Sequence, residues 1–157
     1  MTVTVADGPV LVIGYGNPLR SDDGVGPAVA ARLGGDARLG GVDIRIEHQL
    51  TPELALDASG ASLLVLVDAA AGERSGQVSV HRLEPDADPG TAWTHHLDPS
   101  GLVGLARELF GTAPPVVVIS VGPASLEVGE RLSPAVAAAV ELAADAVVQV
   151  VEAHRRA

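Results

Sequence analysis

The sequence predicts an α/β domain in which a mostly parallel, twisted five-stranded sheet lies between two layers of helices, a three-layer sandwich. Two observations carry this prediction. Short apolar runs alternate along the chain with segments of helical periodicity, the pattern of a parallel sheet whose strands are connected by helices. The chain has 157 residues and no internal repeat, which favours one domain spanning residues 1–157.

Five segments are predicted as strands. Four are apolar or β-branched runs bounded by Gly, Pro or Asp, and the fifth alternates apolar and polar residues as a half-exposed edge strand does. The run SLLVLV is apolar on both faces, which is typical of a central strand. The four runs lie at residues 10–13, 42–47, 63–67 and 116–121, and the edge strand lies at residues 77–83.

Three predicted helices open with a capping residue followed by proline: Thr51, Asp98 and Ser133 come first in these pairs. The side chain of the cap accepts from free N–H groups, and proline has no N–H to leave unpaired. Apolar stripes then mark the buried faces of the second and third of these helices. The stripes are Leu102, Leu105, Ala106 and Leu109 in one helix, and Val136, Val140, Ala143, Val147 and Val151 in the other.

The composition excludes several classes of protein. With 20 acidic and 10 basic residues, the formal charge of −10 repels nucleic acid and anionic membranes. The sequence has no cysteine, which excludes disulfides, thiolate zinc sites and a cysteine nucleophile, and its 2% of aromatic residues excludes a base-stacking surface. No run of 18 apolar residues and no signal-peptide pattern occurs, so we expect a cytoplasmic protein without a membrane partner.

A glycine-rich segment, GYGNPLRSDDGVG at residues 14–26, lies between the first predicted strand and the first helix. It lacks the third glycine of the dinucleotide fingerprint and the Gly-Lys-Ser/Thr of a phosphate loop. Its adjacent carboxylates, Asp22 and Asp23, would oppose an anion and suit a cation. The alternative is that one of them caps the helix while the glycines form a turn, and the spacing alone leaves both interpretations open.

Asp68 and two histidines complete the candidate set. Asp68 ends the strand predicted to be central, and the carboxyl ends of neighbouring parallel strands face one crevice. His95 and His96 follow a long irregular segment at residues 84–94. Two carboxylates and one imidazole would hold a divalent ion such as Zn²⁺ or Ni²⁺ with positions left open. The alternatives are a turn-forming aspartate and two exposed loop histidines.

Together these segments resemble the nickel–iron hydrogenase maturation endopeptidase family. The opening segment is the most specific motif, and four others follow in the family's order along nearly the whole chain: HQLTPEL, LLVLVDAA, THHLDPSGL and SVGPASLEVGERLSP. The resemblance implies a metal-dependent, aspartic-type endopeptidase. Such an enzyme removes the C-terminal extension of a hydrogenase large-subunit precursor after nickel has been inserted.

The resemblance also implies the site. Asp23, Asp68 and His95 would bind the divalent metal and carry the catalysis, and the metal would be nickel supplied by the substrate. His95 is favoured over His96 because the family's ligand comes directly after Ser or Thr and two residues before Leu, as His95 does. One departure is that Asp23 stands where some members carry Glu, whose side chain is longer by one carbon–carbon bond.

Two other functions are compatible with the same residues. A non-catalytic maturation factor would hold the nickel-bearing precursor in a stable complex without releasing a C-terminal peptide. A small-molecule hydrolase on the same scaffold would turn over its substrate without any partner protein. The sequence has no Gly-x-Ser-x-Gly elbow for a serine nucleophile.

Overall fold

The computed structural model describes residues 7–83 and 97–157. Within these ranges the strands form one five-stranded sheet with the order β2-β1-β3-β5-β4. Strand β4 runs antiparallel to β5, and the other pairs are parallel. The strands are β1 (Val10–Tyr15), β2 (Asp43–Glu47), β3 (Leu63–Ala69), β4 (Val78–Arg82) and β5 (Val116–Val121).

Helices cover both faces of the sheet, which confirms the three-layer α/β fold that the sequence predicts. Helices α1 and α4 pack on one face, and α2 and α3 pack on the other. The helices are α1 (Val25–Leu33), α2 (Leu54–Gly60), α3 (Pro99–Phe110) and α4 (Pro134–Arg156), with short 3-10 turns at Ser21–Gly24 and Ala37–Leu39.

Strand β3 is central, as its sequence predicts, and its side chains alternate between two cores. Leu63 and Val65 face the core under α1 and α4, whereas Leu64 and Leu66 face the core under α2 and α3. All four are buried. Because side chains two residues apart share a face, Asp68 continues the Leu64 and Leu66 series and lies on the α2/α3 face.

The predicted edge strand is confirmed. Strand β4 pairs only with β5 among the described strands, and its alternating sequence leaves Val80 half exposed. Its antiparallel direction is the one exception to the parallel sheet.

The three predicted helix starts have different outcomes. Asp98 caps α3, because its side chain accepts from the backbone N–H of Gly101 at 2.7 Å. Ser133 precedes α4, but its side chain makes no capping bond. The prediction for Thr51 is wrong, since α2 begins at Leu54 and Thr51 instead accepts from the Leu54 N–H through its backbone oxygen.

The predicted apolar stripe of α4 is confirmed, and Val136, Ala143, Val147 and Val151 are buried against the sheet. By length and composition alone α4 could also cross a membrane, a weak indication that the core helices of soluble proteins give as well. In α3 the stripe stops one turn early, because Leu109 in the last turn is 53% exposed.

Candidate active site

The candidate site lies at the topological switch point of the sheet, where successive strands are added on opposite sides of β1. From β1 the chain passes through α1 on one face to β2, and then through α2 on the opposite face to β3. A crevice forms outside the carboxyl ends of the strands at such a switch point. The segment after β1 carries Asp23, and the end of β3 carries Asp68, so both predicted carboxylates are at this edge of the sheet.

Three polar side chains meet on the α2/α3 face at the ends of neighbouring strands. Tyr15 ends β1, Asp68 lies near the end of β3, and Ser120 lies near the end of β5. Asp68 and Ser120 are register partners, and Tyr15 follows Ile13 on the same face. The period of two along each strand therefore points all three side chains in the same direction.

Both oxygens of the Asp68 carboxylate accept a hydrogen bond. The hydroxyl of Tyr15 donates to Oδ2 at 2.7 Å, and Ser120 Oγ donates to Oδ1 at 2.6 Å. Burial raises the pKa of Asp68 above its usual range, against the lowering effect of these two bonds, and the negative charge of Asp23 raises it further. Asp23 therefore lies within electrostatic range of Asp68.

Tyr15 is held in its neutral form. Burial and the adjacent negative charge of Asp68 raise the pKa of its hydroxyl far above the usual range. A neutral phenol has one proton to donate. That proton is directed at Asp68.

Asp23 is the half-buried carboxylate of the opening loop. Its Oδ2 accepts from the backbone N–H of Asn17 at 2.7 Å, which fixes the side chain beside the cleft. Within residues 7–83 and 97–157 its other oxygen accepts no hydrogen bond. Among the described residues, Asp23 thus keeps one carboxylate oxygen without a hydrogen bond.

Asp22 has a different environment from its neighbour. It is 0% exposed and binds the loop between β5 and α4. The first residue of this loop that donates to it, Ala124, is 102 positions away in the sequence. Its Oδ2 accepts from the N–H groups of Ala124 and Ser125 and from the Ser133 hydroxyl, and its Oδ1 accepts from the Ser133 N–H at 2.7 Å. Burial alone would raise the pKa of Asp22, but these hydrogen bonds outweigh it and lower the pKa.

Neither aspartate caps α1. The residue before this helix is Gly24, and neither it nor the preceding 3-10 turn has a side-chain capping bond. Of the two open interpretations of the pair, the capping one is therefore wrong. Asp22 instead joins two loops, and Asp23 faces the cleft.

The glycines of this segment permit close packing. Gly16 has φ +146°, and a Cβ there would collide with the backbone oxygen of Asp23. A Cβ on Gly26 would collide with the carbonyl oxygens of Tyr15 and Val67. Only glycine allows the start of α1 to approach the ends of β1 and β3 so closely.

A cleft of about 330 Å³ opens beside Asp23. Its described lining comes from the end of β1, from the segments that follow β1 and β2, and from the residue that precedes the α3 cap: Tyr15, Gly16, Asn17, Arg20, Asp23, His48, Gln49, Leu50 and Leu97. Asp68 is not in this lining and is connected to it through Tyr15. His95 and His96 lie outside the described residues, two and one positions before Leu97.

In the described ranges no group of three His, Asp or Glu side chains is placed to hold a metal ion. The two predicted carboxylates are of the right kind, since the free oxygen of Asp23 and the lone pairs left on Asp68 can coordinate a cation. A cation there would also offset the repulsion that these two carboxylates exert on each other. The donor set thus fits a divalent ion that takes a third ligand from elsewhere.

Sequence reasoning missed three residues of this site: Tyr15, Ser120 and His48. Ser120 is the only polar residue in the β5 run VVVISV, and its position level with Asp68 is the signal that could have revealed it. His48 lines the cleft because β2 ends one residue before it.

Known structures resemble this fold over nearly its whole length. A hydrogenase 2 maturation peptidase from the Thaumarchaeota archaeon SCGC_AB-539-E09 is 29% identical, with a TM-score of 0.72 over 92% of this chain and 98% of the other. The hydrogenase maturating endopeptidase HybD from E. coli is 25% identical, with a TM-score of 0.70 over 94% of this chain and 93% of the other. No protein-family model and no curated protein matches the sequence.

A third structure shows the fold alone. The [NiFe] hydrogenase maturation protease HycI from Thermococcus kodakarensis KOD1 is 24% identical, with a TM-score of 0.69 over 92% of each chain. The same arrangement of strands and helices thus persists where the sequences have diverged further.

Proposed function

This chain belongs to the hydrogenase maturation endopeptidases, and on that premise we propose that it removes the C-terminal extension of a nickel-loaded hydrogenase large-subunit precursor. The observation that carries the proposal is the pair of carboxylates at the switch point of the sheet. Asp23 lines a cleft, and one of its oxygens accepts no hydrogen bond from the part of the chain that the structure describes. Asp68 lies within electrostatic range of Asp23. The cleft of about 330 Å³ beside Asp23 is where we expect the substrate tail to lie.

The proposed reaction is hydrolysis of one peptide bond. Water adds its oxygen to the carbonyl carbon, the bond from that carbon to the amide nitrogen breaks, and the nitrogen leaves with a proton. The proposed ligands are Asp23, Asp68 and His95. The nickel would arrive with the substrate. Held by these three residues, it would polarise the scissile carbonyl or activate the attacking water.

The electrostatics of the described residues suit a cation that arrives with the substrate. Two carboxylates in mutual repulsion provide an unfavourable site for an anion and a favourable one for Ni²⁺. The chain contributes no thiolate, so tight nickel binding would need ligands from the precursor. We place the activity in the cytoplasm, where a reducing environment keeps cysteine ligands of a nickel centre as thiolates.

The experiment is cleavage of a purified nickel-loaded precursor, followed by the shift of the large subunit on a gel. We expect wild-type protein to process it, and Asp23→Asn, Asp68→Asn and His95→Ala each to abolish processing while remaining folded. Asp145→Asn is the matched control, because Asp145 is an exposed carboxylate on α4. It removes one negative charge and should process normally.

Normal processing by any of the three site variants would refute the assignment of that residue. A stable complex of wild-type protein with an uncut precursor would favour the non-catalytic maturation factor instead. Turnover of a small ester or amide without any precursor would point to a small-molecule hydrolase.

A further inference from the structure

We propose that Tyr15 and Ser120 are positioning residues that hold the Asp68 carboxylate in its working orientation, an inference that rests on the proposed function. Tyr15 donates to one oxygen at 2.7 Å and Ser120 to the other at 2.6 Å. These two bonds restrain rotation of the carboxylate about its last torsion. The lone pairs that remain are then directed away from both donors.

The arrangement depends on three different strands. Tyr15 is 53 positions from Asp68 in the sequence, and Ser120 is 52 positions away, so only the assembled sheet brings them together. Ser120 is 3% exposed, and its register pairing with Asp68 leaves it little freedom to move. Tyr15 connects the cleft with Asp68, since the residue lines the cleft and its hydroxyl donates to the carboxylate.

Hydrogen bonds of this kind orient a ligating carboxylate and are not themselves ligands. Loss of such a partner lowers metal affinity or activity by about tenfold to 100-fold. Because the nickel reaches Asp68 with the substrate, this loss acts on the complex in which Asp68 holds the metal. We therefore expect kcat/KM to fall by about tenfold to 100-fold when either hydroxyl is removed.

The kinetic test uses the full chain and the nickel-loaded precursor. Tyr15→Phe and Ser120→Ala each delete one hydroxyl, and Ser120→Thr should restore activity because it returns a donor to the same strand position. Ser79→Ala is the matched control. Ser79 lies directly opposite Ser120 on β4, but its hydroxyl bonds to Glu73 and not to Asp68.

A spectroscopic test is independent of catalysis. Tyr15 is the only tyrosine in the chain, so tyrosine labelled with carbon-13 at Cζ gives a single resonance. We expect Asp68→Asn to shift this resonance, because the acceptor of the phenol's hydrogen bond changes from a carboxyl group to an amide. Asp145→Asn, remote from the site on α4, should leave it in place.

The outcomes separate this inference from the function on which it rests. A wild-type protein that leaves the precursor uncut overturns the proposed function and this inference with it. A precursor that is cut equally fast by wild type and Tyr15→Phe overturns the positioning role alone. An unchanged tyrosine resonance in Asp68→Asn overturns it as well. For Ser120, a twofold or smaller loss of activity in Ser120→Ala overturns the role, and so does a larger loss that is equally large in Ser120→Thr.

Discussion

Two adjacent aspartates are expected to respond in opposite ways to the same substitution. Asp22→Asn should destabilise the fold strongly, whereas Asp23→Asn should leave the fold nearly intact and remove activity. The difference follows from their partners, because Asp22 is fully buried and accepts four hydrogen bonds from the loop before α4. Asp23 is half buried and accepts one, from Asn17.

The magnitude for Asp22 comes from its hydrogen bonds. A bond to a charged group contributes about 1.5–3 kcal/mol, and an unpaired buried donor costs about 1–3 kcal/mol. Asparagine keeps one acceptor oxygen, but its amide group donates and would face the N–H groups that now bond to Asp22. With the amide oxygen in the place of Oδ2, at least the bond from the Ser133 N–H is lost and that buried donor is left unpaired. We therefore expect a loss of about 3 kcal/mol, a large part of the roughly 5–15 kcal/mol that stabilises a domain.

Asp23→Asn loses at most one charge-assisted bond at a half-exposed position, which corresponds to about 1 kcal/mol. Urea denaturation monitored by circular dichroism measures both variants against wild type. Equal losses at the two positions would refute the reasoning. An Asp22→Asn protein as stable as wild type would also refute it. The four groups that donate to Asp22 would then be satisfied by other acceptors at little cost in free energy.

Two further predictions concern the same loop. The stability that Asp22 contributes is present above the ordinary pKa of 3.8 and is lost as the pH falls, because its folded-state pKa is lowered. The difference in unfolding free energy between wild type and Asp22→Asn should therefore become smaller as the pH falls. Urea titrations at several acid pH values measure this difference, and a difference that stays constant would contradict the prediction. Gly16→Ala should lower both thermal stability and processing, because its φ of +146° and the adjacent carbonyl oxygen exclude a Cβ. Gly60→Ala is its control, with open space around the added methyl group, and a Gly16→Ala protein as stable as Gly60→Ala would show that the loop does not need its glycine.

Much of the fold could be predicted from the sequence, because the pattern of each segment is local. The run SLLVLV is apolar on both faces, and it is the central strand. The alternation of QVSVHRL marks the antiparallel edge strand. The start of α2 was missed, because Thr51 and Pro52 form a turn before the helix begins and no local signal separates a turn from a first helical turn.

The candidate site could be predicted only in part. The carboxyl end of a buried strand is a local feature, and it places Asp68 at the crevice. The separate environments of Asp22 and Asp23 could not be predicted, since the partners of Asp22 lie 102 to 111 positions away. The role of Tyr15 could not be predicted for the same reason, because its hydrogen bond to Asp68 forms only when β1 and β3 lie side by side.

The most direct test of the central claim is the intact mass of a nickel-loaded large-subunit precursor after incubation with this protein. We expect two products, a shortened large subunit and one C-terminal peptide, whose masses sum to that of the precursor plus one water molecule. We also expect Asp68→Asn, with Tyr15 and Ser120 in place, to yield only the unchanged precursor. An unchanged precursor with the wild-type protein, or the same two products with Asp68→Asn, would contradict it.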